Sequence, residues 1–220
     1  KGKDIARAFL VKDKLFDFWG ISWGKMEGFA TGRARGWLFA PSIVHNAKVL
    51  YARSEEQAAR FASLKQQVLD LQKPEAFPEM LSRALDKFAL VLAHLGNLRL
   101  ALSGSDFADI RNEGWKVVLA ALECLALANQ VFFDKGFGSL LEQLPLLRNR
   151  PEGIEESLIT IGTSRDTHQI TQAAESLALG TRRVLRGLQA TLPAKASLQE
   201  TLRYAYPEVH DGINKVLRAC

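Results

Sequence analysis

The stretch Arg111 to Gly138, RNEGWKVVLAALECLALANQVFFDKGFG, constrains this chain more than any other. Between Trp115 and Phe133 only four side chains are strongly polar: Lys116, Glu123, Asn129 and Gln130. A helix so apolar is surrounded by other helices. Lys116, Glu123 and Gln130 recur every seven residues, which makes one narrow stripe on a 3.6-residue helix. A charge midway along that stripe must reach water or a partner. The expectation is a central helix over 113–133, its polar stripe lining a groove closed by the N-terminal segment, with Gly136 and Gly138 stopping the helix.

The flanking sequence supplies the neighbours. Ser54-Glu-Glu-Gln57 is a capping box that opens a helix to about residue 72, and Pro74 to Pro78 breaks the pattern before a long apolar helix to about residue 102. Ser103-Gly-Ser105-Asp106 caps the central helix. A short Leu-rich helix precedes Pro145, Pro151 starts another, Ser164 caps a helix to about residue 191, and Ser197-Leu-Gln-Glu200 opens a last one that Pro207 kinks or restarts. Short connections make such neighbours antiparallel.

Residues 1–53 have a different texture. Three of the four Trp stand here, with Gly20, Gly24, Gly28, Gly32 and Gly36 punctuating the run, which argues for strands and turns. Phe16 to Trp23 and Lys48 to Tyr51 are β-prone, but pieces this short make too small a sheet to stand alone. The fold class expected is therefore mainly α: an antiparallel helical bundle over 54–220 with a small β-containing segment over 1–53.

Composition bounds the function. With 220 residues and 47% hydrophobic side chains the chain can bury a real core. A net charge of +5 and pI near 9.3 permit an acidic partner such as a nucleotide and fall short of a dedicated nucleic-acid binder. No apolar run is long enough for a membrane span. Two Cys, Cys124 and Cys220, fit a reducing compartment, and the cytoplasm is the default. The sequence opens Lys1-Gly-Lys without Met and stops at Cys220 inside a helical pattern, which reads as part of a longer chain.

Asn129-Gln-Val-Phe-Phe-Asp-Lys-Gly136 closes an apolar helix in a pattern like N-x-x-[YF]-[YF]-x-K-G, followed by an amphipathic Leu helix and a Pro. Further on stand Arg150-Pro-Glu-Gly-Ile154 and Tyr206-Pro-Glu-Val-His-Asp-Gly-Ile-Asn-Lys215. Together these resemble the C-terminal helical domain of nucleotidyltransferases of the kanamycin-nucleotidyltransferase kind, one of the HEPN-like helical modules. Phe16-Asp-Phe-Trp-Gly-Ile-Ser-Trp23 and Ala47 to Ser54 are similar to the last strands of the catalytic core of those enzymes.

The resemblance implies transfer of a nucleoside monophosphate from a nucleoside triphosphate to a small hydroxyl acceptor, with Mg²⁺ as cofactor. It also implies residue roles. Asp17 would be the remaining metal-binding and catalytic acid, Glu123 the general base for the acceptor hydroxyl, and Asn129, Phe133 and Lys135 substrate-binding positions. The residues read by themselves offer other roles: a solvent-facing strand position for Asp17, a wet stripe for Glu123, a helix cross-link for Asn129. The departure from the family pattern is large, because no Gly-Ser turn followed by Asp-x-Asp occurs. Leu102-Ser-Gly-Ser-Asp106 mimics it, but with the wrong spacing and where a helix needs a cap.

Two alternatives stand beside the enzyme reading. One is a non-catalytic interaction or dimerisation module, and a homodimer is allowed. The other is an RNA-associated module, disfavoured because the basic clusters lack interleaved aromatics. Arg165 and His168 enclose only two residues, too few for the Arg-to-His spacing of HEPN-type ribonucleases.

Overall fold

The structure, a computed structural model, describes residues 6–34, 36–104 and 106–193. The chain divides into a unit over Lys1–Leu188 and a second over Gln189–Cys220, and the fold described is that of the first. The expected helix after Ser197, the Tyr206–Lys215 signpost and Cys220 lie outside the described residues.

The chain opens with a hairpin, β1 (Ala6–Val11) against β2 (Lys14–Trp19), antiparallel with Phe9 opposite Phe16 and Ala8 opposite Asp17. Lys12 and Asp13 both take positive φ, 47° and 63°, which suits a two-residue turn whose twist matches that of the strands. Every residue of both strands is exposed, including Phe9, Phe16, Phe18 and Trp19.

Beyond the hairpin the expected turns are present, but two short helices stand where further strands were expected. Ser22 caps α1 (Trp23–Ala30), accepting from the Lys25 N–H, and α2 (Ala40–His45) follows. Both pack on α3 (Glu55–Leu71): Phe29, Ala30, Ala40 and Val44 share a buried cluster with Leu64 and Val68. Aromatic and Gly content favoured strands locally, but burial against α3 decided the matter, since propensity yields to tertiary packing. Lys48–Tyr51 forms no strand either; it is irregular, with Leu50 and Tyr51 95% and 83% exposed.

The helical part follows the expected order. Ser54 accepts from Gln57 N–H at the start of α3, and a 3₁₀ turn at Pro74–Ala76 leads into α4 (Phe77–Gly104). Asp106 caps α5 (Phe107–Ala128) by accepting from the Ala108 and Asp109 N–H groups. The capping role expected for the 103–106 stretch is thus seen directly. α4 and α5 form the principal helix pair, and α5 contributes a nearly continuous buried run from Ala121 to Ala128, Glu123 excepted. Each Leu in that run adds roughly 1.5–3 kcal/mol by leaving water.

α5 begins and ends earlier than 113–133. Its C-cap is Asn129, and Gln130 takes φ 54°, so the chain leaves the helix before Gly136 and Gly138 can act. Residues 131–134 form neither helix nor strand, and a 3₁₀ turn at Phe137–Ser139 then leads into a short helix α6 (Leu140–Gln143). α7 (Ile154–Thr163) starts three residues after Pro151, with Gly153 at its N-cap, and Ser164 is its C-cap. The cap of α8 (Thr167–Ala190) is Asp166, which accepts from the His168 N–H while its own N–H donates to Ser164 Oγ. Gly114 lets α7 and α8 close on α5, because a Cβ there would sit 3.2 Å from both Ile161 and Ile170. Among the described residues no helix is long and apolar enough to cross a membrane.

Candidate functional site

The polar side chain in the middle of α5 meets the turn that links α1 to α2. Glu123 Oε1 accepts from the Trp37 N–H at 2.6 Å, and Oε2 accepts from the Leu38 N–H at 2.7 Å. Gly36 makes this approach feasible. Its φ is 80°, and a Cβ there would lie 2.8 Å from Glu123 Oε2, so a side chain is excluded both by conformation and by space.

The same turn is laced to the end of α5 by further bonds. Trp37 is fully buried, and its Nε1–H donates to the Val131 carbonyl at 2.7 Å. The Phe133 N–H donates to the Leu38 carbonyl at 2.7 Å. Phe132 meets the Trp37 ring edge-on at 6.0 Å, and Phe39 meets Phe133 and Phe137 at 6.1 and 4.8 Å. Arg83 of α4 lies 5.8 Å from the centre of the Trp37 ring and donates through Nη2 to the Thr31 carbonyl.

Burial raises the Glu123 pKa above the ordinary carboxylate value, opposed by the Trp37 and Leu38 N–H groups and by the charges of Lys87 and Arg83. Burial lowers the Arg83 pKa, and the charge of Arg33 adds to that, whereas Glu79 and Glu123 oppose it. A carboxylate with raised proton affinity has the chemistry of a general base, but each of its oxygens already accepts a short bond from the backbone.

The stripe does not line one groove. Lys116 Nζ donates to Glu113 Oε1 at 2.5 Å, Glu123 holds the 36–38 turn, and Gln130 Nε2 donates to the Leu71 and Lys73 carbonyls at 2.9 and 2.5 Å, closing the end of α3. Glu123 does face the N-terminal segment, as expected, but it meets backbone N–H groups there.

Asn129 is a cross-link. Its Nδ2 donates to the Leu125 and Asn149 carbonyls at 2.8 and 2.9 Å, and its Oδ1 accepts from the Asn149 N–H at 2.7 Å. Phe133 is fully buried. Lys135 is exposed and pairs with Glu142 at 3.2 Å, a surface contact worth about 0–1 kcal/mol. Asp17 lies on the exposed hairpin opposite Ala8, far in kind from the buried setting of Glu123. Among the described residues no group of three or more His, Cys, Asp or Glu is gathered to hold a metal. Asp17 offers a single carboxylate of the hard-oxygen kind that Mg²⁺ takes together with substrate phosphates and water.

Sequence reasoning missed Gln143, Trp37 and Arg83. Gln143 is buried, and its amide is fully used: Oε1 accepts from the Asp134 and Lys135 N–H groups, while Nε2 donates to the Lys135 and Ser139 carbonyls. Its signal was faint but present, a lone amide within Leu-Leu-Glu-Gln-Leu-Pro-Leu-Leu. For Trp37 and Arg83 no local pattern existed, because their partners stand dozens of residues away.

Comparison with known proteins adds one match. The family model described as KNTase C-terminal domain matches residues 58–191, from α3 to the end of α8. No curated protein and no solved structure matches the chain.

Proposed function

This chain belongs to the KNTase C-terminal domain family, and from that premise we propose that it supplies the helical acceptor-binding domain of a nucleotidyltransferase-type enzyme. The reaction moves a nucleoside monophosphate from a nucleoside triphosphate to a small acceptor hydroxyl. The family match over α3–α8 carries this reading. Among the described residues no group of three or more His, Cys, Asp or Glu gathers for Mg²⁺, which neutralises phosphoryl charge in such reactions, and no Asp-x-Asp occurs in the sequence. In this reading the chain's part is on the acceptor side.

Within it, Glu123 is the group best suited to draw a proton from a hydroxyl, since burial raises its proton affinity. Each carboxylate oxygen retains a second lone pair beside its backbone bond. Phe133 and Asn129 act indirectly by holding the peptide after α5 in place, Phe133 through the Leu38 carbonyl and Asn129 through Asn149.

A second reading is a non-catalytic interaction module in the cytoplasm. It is favoured by the fact that Glu123, Asn129 and Lys135 each have a structural partner. One experiment separates the two. The full gene product is incubated with ATP or GTP, Mg²⁺ and a panel of aminoglycosides, and acceptors are examined by mass spectrometry for the added mass of a nucleoside monophosphate. Addition supports the enzyme reading, and Glu123→Gln should then reduce turnover far beyond its effect on melting temperature. No addition to any acceptor, with no pyrophosphate released, leaves the module.

A further inference from the structure

The buried side of α4 carries Ala84, Val91 and Leu98, one residue in seven. At 3.6 residues per turn the opposite side carries Asp86, Ala89, Ala93, Gly96 and Leu100, and all five are exposed. Leu90 and Leu92 flank that side, 47% and 54% exposed, and Leu100 is 74% exposed. From Phe88 to Leu98 the one titratable side chain is His94, which turns aside to Glu113 of α5. The outer side of α4 therefore offers water three turns without a charge. The outer side of α8 does the opposite, with Arg182, Arg183 and Arg186 all exposed. An apolar helix face of this length is one that another surface covers.

Gly96 points the same way. A Cβ there would meet nothing within 4 Å, so no contact among the described residues calls for glycine. Glycine inside a helix costs stability relative to alanine, and close approach of a second backbone is a reason to bear that cost.

The charges that bound the face are self-complementary. Asp86 and Arg99 stand thirteen residues apart, about 20 Å along the helix. Asp86 has no partner among the described residues, and Arg99 uses Nε and Nη2 on Glu175 while its other guanidinium donors remain. Two copies of α4 laid antiparallel, with the two-fold axis between Leu92 and Ala93, bring Asp86 beside the partner's Arg99 at both ends. The same register sets Ala89 beside the partner's Gly96, which lets the helix axes come close, and Leu85 beside the partner's Leu100. A parallel pair would set Asp86 against Asp86 and Arg99 against Arg99.

We propose that this face of α4 docks on a second copy of the chain as an antiparallel, two-fold symmetric helix pair. Two such faces cover on the order of 1,000 Å² together, the least that a specific interface needs. The pairing uses no residue of the transfer reading, so the two stand or fall separately.

Sedimentation velocity of the full chain tests the pairing at concentrations up to about 100 µM, because interfaces of moderate size reach micromolar affinity or tighter. A species of twice 24.4 kDa should grow with concentration. Ala93→Arg places a charge at the axis in both copies and should leave the single chain alone in solution. Asp86→Arg sets like charges together at both ends and should weaken the dimer about tenfold. Leu179→Arg, on the exposed side of α8, should change nothing. These three positions are exposed, so the variants keep the fold, which an unchanged melting temperature in dilute solution checks. Gly96→Ala should raise the melting temperature of the dilute chain and yet weaken the dimer, a split that a glycine needed only by the single chain would not give. The single chain at every concentration would overturn the proposal, and so would a dimer that Ala93→Arg or Asp86→Arg leaves intact.

Discussion

Replacing Glu123 by Ala removes the acceptor for two backbone N–H groups at once. The Trp37 and Leu38 residues that carry them are 0% and 4% exposed, so water cannot replace the carboxylate without opening the turn. An orphaned buried donor costs about 1–3 kcal/mol, so two cost roughly 2–6. Part of that is returned, because the burial that raises the Glu123 pKa is itself a penalty on the charged group, and a net loss of about 3 kcal/mol is expected. For a chain of this size that corresponds to a fall of about 6–12 °C in Tm. Glu123→Gln keeps one acceptor and turns an NH₂ toward the other N–H, so its loss should be about half as large. Urea unfolding followed by tryptophan fluorescence measures both, since Trp37 is buried at the site and should redden on release. A Glu123→Ala loss within about 0.5 kcal/mol of zero, the range of ordinary surface substitutions, would refute the assignment of Glu123 as the clasp between α5 and the 36–38 turn.

Other outcomes can be checked as readily. Cys124 is fully buried, and burial together with the nearby Glu123 charge pushes its thiol up to about 12, so thiol reagents should label it only as the protein unfolds. The Lys116 ammonium, with lesser help from His94 and Asn97, holds the Glu113 carboxyl below its usual range. That stabilisation is present above the unfolded value near 4.5 and is lost as pH falls through the lowered folded value, so Glu113→Gln should flatten the acid limb of the stability curve. Glu123 has the opposite sign: its raised pKa favours the folded state at low pH and adds nothing to acid unfolding. Gln143→Leu should cost about 1–3 kcal/mol by removing the acceptor of the Asp134 and Lys135 N–H groups, and proteolysis after Lys135 should accelerate in parallel. Gly36→Ala should destabilise by more than 1 kcal/mol, because it adds left-handed strain to a Cβ pressed on Glu123; a neutral result would place the turn elsewhere.

Local chemistry determined the helical plan of this protein. Ser54 and Asp106 cap where their side chains can reach the free N–H groups of a first turn, and the apolar run of α5 has to be enclosed by neighbours whatever their identity. The Asn129 to Gly136 peptide also carried its own information, enough to suggest the family to which residues 58–191 belong. Tertiary structure decided the rest. The aromatic, Gly-rich N-terminal segment had strand-like composition, yet Phe29, Ala40 and Val44 became helical because α3 offered them an apolar surface. The end of α5 was set by Gln130, whose amide finds the Leu71 and Lys73 carbonyls at the far end of α3, a partnership nearly sixty residues apart that no local pattern encodes. Glu123 shows the division most clearly: periodicity placed it midway along a polar stripe, but whether that charge met water, a substrate or the backbone depended on where the Gly36 turn came to rest. A side chain's position on its own helix is a local property, and its partner is a property of the packed chain.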